Sequence, residues 1–192
     1  MNLETYRQDF EEDCWPIITN KFFSPADLFL CYGMIRTLKP KKIMEIGAGF
    51  TSYCMNRAMV RYQTPNIVSL DPSDSRKSLV PHTFVKTKWQ EFAYKKKLAA
   101  FEKNDVLFID GNHTEEEFDQ YSEKLFPLLK KGVIVHFHDI CDNPFDRYYD
   151  PDNTECPAVL KFLKESPDYF DVLVNGNKEN QWSYSLWLRR KE

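Results

Sequence analysis

Two regions of this sequence carry residues whose types and spacing could do chemistry. In the first, Glu45-Ile46-Gly47-Ala48-Gly49-Phe50-Thr51-Ser52 joins an apolar run to a helical pattern. Glycines in such a turn let the backbone bend tightly and approach a ligand, and the helix that opens at Thr51 and Ser52 offers free N–H donors. Asp71 follows Gly49 by 22 residues, an offset at which a carboxylate can accept from both hydroxyls of an adenosine-type ribose. A dinucleotide fingerprint would require a third glycine where Ser52 stands. Glu45, immediately before the turn, is unhelpful to a pyrophosphate and compatible with a cationic ligand. Both features weigh against an NAD(P)-linked oxidoreductase.

The second region is a pair of acids that close apolar runs. Asp110 ends Val106-Leu107-Phe108-Ile109, and Asp139 ends Gly132-Val133-Ile134-Val135-His136-Phe137-His138. If both runs are parallel strands, the two carboxylates converge outside the strands' carboxyl ends, where ligands of open α/β sheets bind. Two carboxylates with an imidazole suit a divalent cation such as Mg²⁺, so Asp110, His138 and Asp139 are the candidate metal ligands. His113 stands three positions after Asp110 and is the candidate general base. Strand alternation puts His136 and His138 on one face; His136, deeper in the run, reads as an interior histidine. His82 has no partner visible in the sequence.

These residues need a scaffold that brings distant strand ends together. Apolar, β-branched runs occur at Lys42–Ile46, Ile67–Leu70, Thr83–Val85, Val106–Ile109 and Val133–Phe137, with helical periodicity over Thr51–Tyr62 and Glu115–Leu129. Continuous rather than alternating apolar strands indicate a parallel sheet covered on both faces, hence a doubly wound α/β fold. Two helices should precede the first strand. Ser24-Pro25 caps one of them and Pro40 helps end it after Leu38. A helix over Pro157–Glu165 should follow the core. Two closing strands, Phe170–Val174 and Tyr184–Leu188, should form a hairpin around Asn175-Gly176-Asn177, with the loop running through Gln181. The expectation is one domain over 1–192, with N-terminal helices over 1–40 and a Rossmann-like core over 41–192.

Composition narrows the field further. The chain has 192 residues, 42% hydrophobic and 29% charged, with a formal net charge of −3. That balance lacks the basic face that phosphate neutralisation needs, so nucleic acid is not expected as a partner. The short lysine clusters at Lys39, Lys41, Lys42 and at Lys95–Lys97 read as solvated helix ends. No apolar run approaches the ~18 residues of a membrane span, and the acidic opening MNLETYRQDFEED resembles neither a signal nor a transit peptide. Five cysteines without a CxxC pair read as reduced thiols in a cytoplasmic protein. The composition leaves open whether copies associate into a homo-oligomer.

The order EIGAGFTS, SLDP, DVLFIDGNH and GVIVHFHDI resembles class I S-adenosylmethionine-dependent methyltransferases over approximately residues 40–190. More narrowly it resembles the methyltransferase-24 group, similar to macrocin-type sugar O-methyltransferases and cephalosporin-hydroxylase-like proteins. The segment LFIDGNH…LLKKGVIVHFHDI is its most specific part. The resemblance implies a seven-stranded, mostly parallel sheet ending in an antiparallel hairpin, and methyl transfer to a hydroxyl of a small, sugar-like acceptor. It assigns Glu45, Gly47, Gly49, Thr51, Ser52, Asp71 and Asp110 to the cofactor, and Asp110, His138 and Asp139 to a metal. Asp110, His113 and Asp139 take the catalytic roles. Gln90 stands where many relatives carry an acid near the adenine, and Glu91 is the alternative there. After HDI, the family's proline-aromatic-aspartate stretch is matched by Asn143-Pro144-Phe145-Asp146. Arg147, Tyr148, Tyr149 and Glu155 resemble its later acceptor-facing residues, in a shortened loop. The altered Gln90 and that loop motivate an alternative: a non-catalytic nucleotide-binding or interaction module on the same fold.

Overall fold

The computed structural model describes residues 2–19, 23–141, 150–176 and 183–191. Five short strands run parallel: β1 Ile43–Ile46, β2 Ile67–Asp71, β3 Thr83–Lys86, β4 Val106–Ile109 and β5 Ile134–Phe137. Two more, β6 Phe170–Asn175 and β7 Leu186–Arg190, complete a seven-stranded sheet in the order β3-β2-β1-β4-β5-β7-β6. β7 lies antiparallel to both β5 and β6. This is the class I Rossmann-like methyltransferase architecture, with the C-terminal hairpin adding the antiparallel edge.

Side-chain alternation divides the core into two layers. Met44, Ile46, Leu107, Ile109, Val135 and Phe137 face one layer, covered by α5 Glu115–Lys124 and α6 Glu155–Glu165. Ile43, Val106, Phe108, Ile134 and Trp187 face the other, covered by α1 Arg7–Cys14, α2 Pro25–Leu38 and α3 Phe50–Val60. A strand buried on both faces has no polar side to show, which is why β1, β4 and β5 read as unbroken apolar runs. Glu45 and His136 are the exceptions, and both fall on the α1–α3 face.

Local signals set most boundaries. Ser24 Oγ accepts from Asp27 N at 3.0 Å to cap α2, and Lys39 ends that helix in a left-handed conformation (φ 49°) before Pro40. The periodic stretch expected to be one helix through Leu129 breaks after Lys124. Pro127 has no N–H to continue an α-helix, and Phe126–Leu128 tightens into a 3-10 turn. α6 begins two residues before Pro157, because proline is tolerated in a first turn. A short helix α4, Tyr94–Ala99, carries the Lys95–Lys97 cluster read as a helix end. β7 starts two residues later than expected, since Ser183–Ser185 bond to Asp27 instead of a neighbouring strand. Asn177 and Gln181 of the expected hairpin loop lie outside the described residues. All five cysteines are buried and none forms a disulfide among the described residues. No helix among the described residues is long and apolar enough to cross a membrane.

Candidate active site

The glycine turn leaves the top of β1 and is tied to its neighbours by the backbone. Gly47 N donates to Leu70 O at 2.9 Å, and Ala48 N to Asp71 Oδ2 at 3.1 Å. Gly47 has φ +86°, and a Cβ there would lie 1.8 Å from Asp110 O, so only glycine fits where the β1 and β4 loops meet. Gly49 has φ 179°, an extended value that makes no such demand. Its N–H donates to Ser52 Oγ at 3.0 Å.

Glu45 supports this turn from beneath. Ser52 Oγ donates to its carboxyl at 2.5 Å, Thr51 Oγ1 at 2.7 Å, and Ser69 Oγ of β2 donates as well. His82, the histidine without a partner visible in the sequence, joins this chain with Nε2 2.7 Å from Ser69 Oγ and Nδ1 3.5 Å from Asn56 Nδ2. Burial pushes the Glu45 carboxyl up to about 7 against the lowering effect of the three hydroxyls. Glu45 is fully buried and does not line the cavity above the turn. Thr51 does line it, while Ser52 is buried with Glu45.

That cavity, of about 420 Å³, opens between the glycine turn and the ends of β2, β4 and β5. Asp71, Asp110 and Asp139 line it together with His113 and His138. Asp71 Oδ1 accepts from Ser73 N at 2.7 Å and Oδ2 from Ala48 N, which fixes the carboxylate and leaves acceptor positions on both oxygens. Arg76, which sequence reasoning did not single out, also lines the cavity, beside Gly49. A second cavity of about 230 Å³ shares Asp71 and Asp110 and extends past Pro72, Trp89 and Gln90. Gln90 lines this second cavity, its amide 3.2 Å from Gln120 Oε1, whereas Glu91 does not. Beside Asp71 and Asp110, its wall carries a third acid, Glu117, which accepts from Trp89 Nε1 at 3.1 Å and Asn112 N at 2.9 Å.

The aspartates at the ends of β4 and β5 meet between two histidines. His113 Nε2 lies 3.5 Å from Asp110 Oδ1 and 3.4 Å from Asp139 Oδ2. His138 Nδ1 lies 3.4 Å from Asp110 Oδ1 and 3.2 Å from Asp139 Oδ1. Each histidine is backed by a buried acid: Glu155 Oε2 stands 3.0 Å from His113 Nδ1, and Asp27 Oδ2 stands 3.9 Å from His138 Nε2. Burial alone would lower His113, but Asp110 and Glu155 hold it up to about 10. His138 is likewise held well above its ordinary value by Asp110 and Asp139, despite burial. The imidazoles in turn keep the Asp110 carboxyl far below the usual range, although burial opposes them.

One ligand atom each from Asp110, His113 and Asp139 can be chosen within 4.8 Å of one another. His138, expected as a metal ligand, falls outside this set; its ring stacks on Phe23 at a centroid distance of 4.0 Å while Nδ1 faces both aspartates. His136 is interior as expected, stacked on Phe108 at 3.8 Å. Glu155, expected to face an acceptor, is 1% exposed and turned onto His113. Its place at the start of α6 points it back into the sheet layer, a correction that no local pattern announces. Asn143–Asp146, Arg147, Tyr148 and Tyr149 lie outside the described residues.

This sheet order, with a glycine turn over β1 and acids at the ends of β2 and β4, defines a class I nucleotide-binding transferase fold. The chain belongs to the methyltransferase-24 family, a methyltransferase domain whose pattern matches residues 44–140. It is an S-adenosylmethionine-dependent methyltransferase. No curated protein matches its sequence. Among solved structures, it is similar to the S-adenosylhomocysteine-bound methyltransferase PaMTH1 of Podospora anserina. The two are 19% identical with a TM-score of 0.59, over 98% of this chain and 88% of that one. An O-methyltransferase of Bacillus cereus in complex with S-adenosylhomocysteine is 14% identical with a TM-score of 0.59, over 98% and 91%. MycE, a methyltransferase of mycinamycin biosynthesis crystallised with Mg, S-adenosylhomocysteine and mycinamycin VI, is 15% identical. Its TM-score is 0.60 over 96% of this chain and 54% of MycE.

Proposed function

We propose that this methyltransferase transfers its methyl group to a hydroxyl oxygen of a small, polar, sugar-like acceptor, assisted by a divalent cation. The observation that carries this reading is the convergence of Asp110, His113 and Asp139 on the cavity that also holds the glycine turn and Asp71. Asp71 is suited to a ribose diol, the turn's Gly47–Thr51 wall to the methionine portion, and the Trp89–Gln90 cavity to the adenine. S-adenosylmethionine supplies an already electrophilic methyl group, so the protein's share is positioning and deprotonation.

Asp110 and Asp139 are the residues that would hold a hard cation, and their oxygen donors fit Mg²⁺ or Mn²⁺. A cation held there supplies Lewis-acid polarisation of the acceptor hydroxyl and lowers its pKa. The titration of the cluster supports the same reading. Asp110 and Glu155 together hold a proton on His113 at neutral pH; were a cation to engage Asp110, that hold would weaken and Nε2 could take the acceptor hydroxyl's proton. Glu155 keeps Nδ1 occupied throughout, which leaves Nε2 as the exchanging nitrogen. The Mg, S-adenosylhomocysteine and mycinamycin VI held by MycE, a chain of the same fold, support this reading.

The test is calorimetry with S-adenosylhomocysteine and Mn²⁺, followed by methyl-transfer assays against a panel of polyhydroxylated acceptors with and without Mg²⁺. Cation-dependent transfer to oxygen is expected. Transfer that is indifferent to chelator would remove the metal from the reading. Tight cofactor binding without transfer to any hydroxyl acceptor would favour the non-catalytic alternative.

A further inference from the structure

The groups that hold His113 and Asp139 in place come from a three-residue segment outside the matched family region. Asn153 Nδ2 donates to Asp139 O at 2.9 Å. Thr154 Oγ1 accepts from Glu115 N at 2.8 Å, at the start of α5 just beyond His113. Glu155 makes two contacts to one residue: its carboxylate meets His113 Nδ1 at 3.0 Å, and its N–H donates to His113 O at 3.1 Å. Asn153 Oδ1 then accepts from Cys156 N at 3.0 Å, closing the segment onto the first turn of α6.

The two residues so held need holding. His113 and Asp139 both have φ +56°, the left-handed region that side chains with a Cβ rarely occupy. Such conformations are costly and persist only where the surroundings over-determine them. Here the β4 and β5 loops each carry one strained, chemistry-bearing residue, and a single segment bonds to both.

We infer that Asn153-Thr154-Glu155 is a positioning clamp: Glu155 fixes the ring of His113 with Nε2 toward the aspartates, and Asn153 fixes the backbone that aims Asp139. Neither residue lines the cavity above the glycine turn, so both act through the residues they hold. The clamp rests on these contacts alone; its consequence for cation affinity rests on the cation site proposed above.

The test uses the full chain labelled with ¹⁵N-histidine. In the wild type, the His113 Nδ1 proton, bonded to a buried carboxylate, should give a slowly exchanging resonance downfield of ordinary imidazole protons. Glu155→Gln should move it upfield and speed its exchange, Glu155→Ala should abolish it, and Glu155→Asp should restore part of it. Asn153→Ala should leave that resonance in place and weaken Mn²⁺ binding by about tenfold or more, the usual consequence of losing a residue that orients a metal ligand. S-adenosylhomocysteine affinity should stay within about twofold in every variant, since none touches its cavity. A His113 resonance that is ordinary in the wild type, or unchanged in Glu155→Gln and Glu155→Ala, overturns the clamp. So does a folded Asn153→Ala protein with wild-type Mn²⁺ affinity. A wild type that binds no Mn²⁺ overturns the cation reading instead, and the histidine resonance then decides the clamp by itself.

Discussion

Glu45 offers the sharpest quantitative test of how the glycine turn is supported. Its carboxyl is fully buried beneath the turn and accepts from the Thr51, Ser52 and Ser69 hydroxyls. Burial outweighs those bonds and lifts it from an ordinary 4.5 to about 7. A carboxyl raised on folding binds its proton more tightly in the folded state than in the unfolded chain. Its contribution to stability is therefore complete below about pH 4.5, declines as pH rises, and is gone above about pH 7. Across that interval, at about 1.4 kcal/mol per pH unit, the loss is about 3 kcal/mol.

Glu45→Gln removes the titration and keeps the shape. The amide oxygen can still accept from the hydroxyls of Thr51 and Ser52, and its NH₂ can donate where geometry allows. Urea unfolding of both proteins at about pH 4.5 and about pH 7.5 isolates the effect, because every other titrating group cancels in the difference between variants. The glutamine variant should gain about 3 kcal/mol on the wild type between the two conditions. A gain below about 1 kcal/mol would mean that the hydroxyls stabilise an ionised Glu45 and that desolvation has been overrated. A change of opposite sign would refute the buried-acid account outright.

Three further outcomes follow from the site. Asp71→Ala should weaken S-adenosylhomocysteine binding by about 10–100-fold in calorimetry, the worth of charged hydrogen bonds to a diol; unaltered affinity would contradict its ribose role. Gly47→Ala should leave little folded, cofactor-binding protein, because its Cβ would lie 1.8 Å from Asp110 O; a stable alanine variant with wild-type affinity would mean the two loops can separate. His113→Ala should retain cofactor affinity while turnover with a competent acceptor falls about 10²–10⁴-fold, and unchanged turnover would remove His113 from proton transfer.

Much of the scaffold was legible because strand runs and their terminal residues are local facts. Asp71, Asp110 and Asp139 each end or closely follow an apolar run, and parallel pairing then brings those ends to one rim. Glu45 was misplaced for a reason also present in the chain. Strand alternation puts it on the face of Ile43, toward α3, and Thr51 and Ser52 of that helix then meet it below the turn rather than in the cavity. Glu155 and Asp27 gave no such signal. Glu155 lies 42 residues from His113, and Asp27 lies 156 residues from Ser183, whose hydroxyl it accepts. Contacts at such separations leave no periodicity to detect, and an acid in the first turn of a helix is ordinarily explained by the helix dipole.

The division between legible and illegible residues is itself informative about how the site is built. Among the described residues that line the cavity, all but Phe23 fall in the matched stretch, residues 44–140, including the turn, Asp71, Asp110, His113, His138 and Asp139. The acids that back the two histidines, Asp27 and Glu155, come from α2 and α6, outside it. A fold of this class can thus keep its cofactor cavity while the surrounding helices set the orientation and charge of the histidines. Exchanging Glu155 should therefore alter the ionisation of His113, and exchanging Asp27 that of His138, while cofactor binding persists.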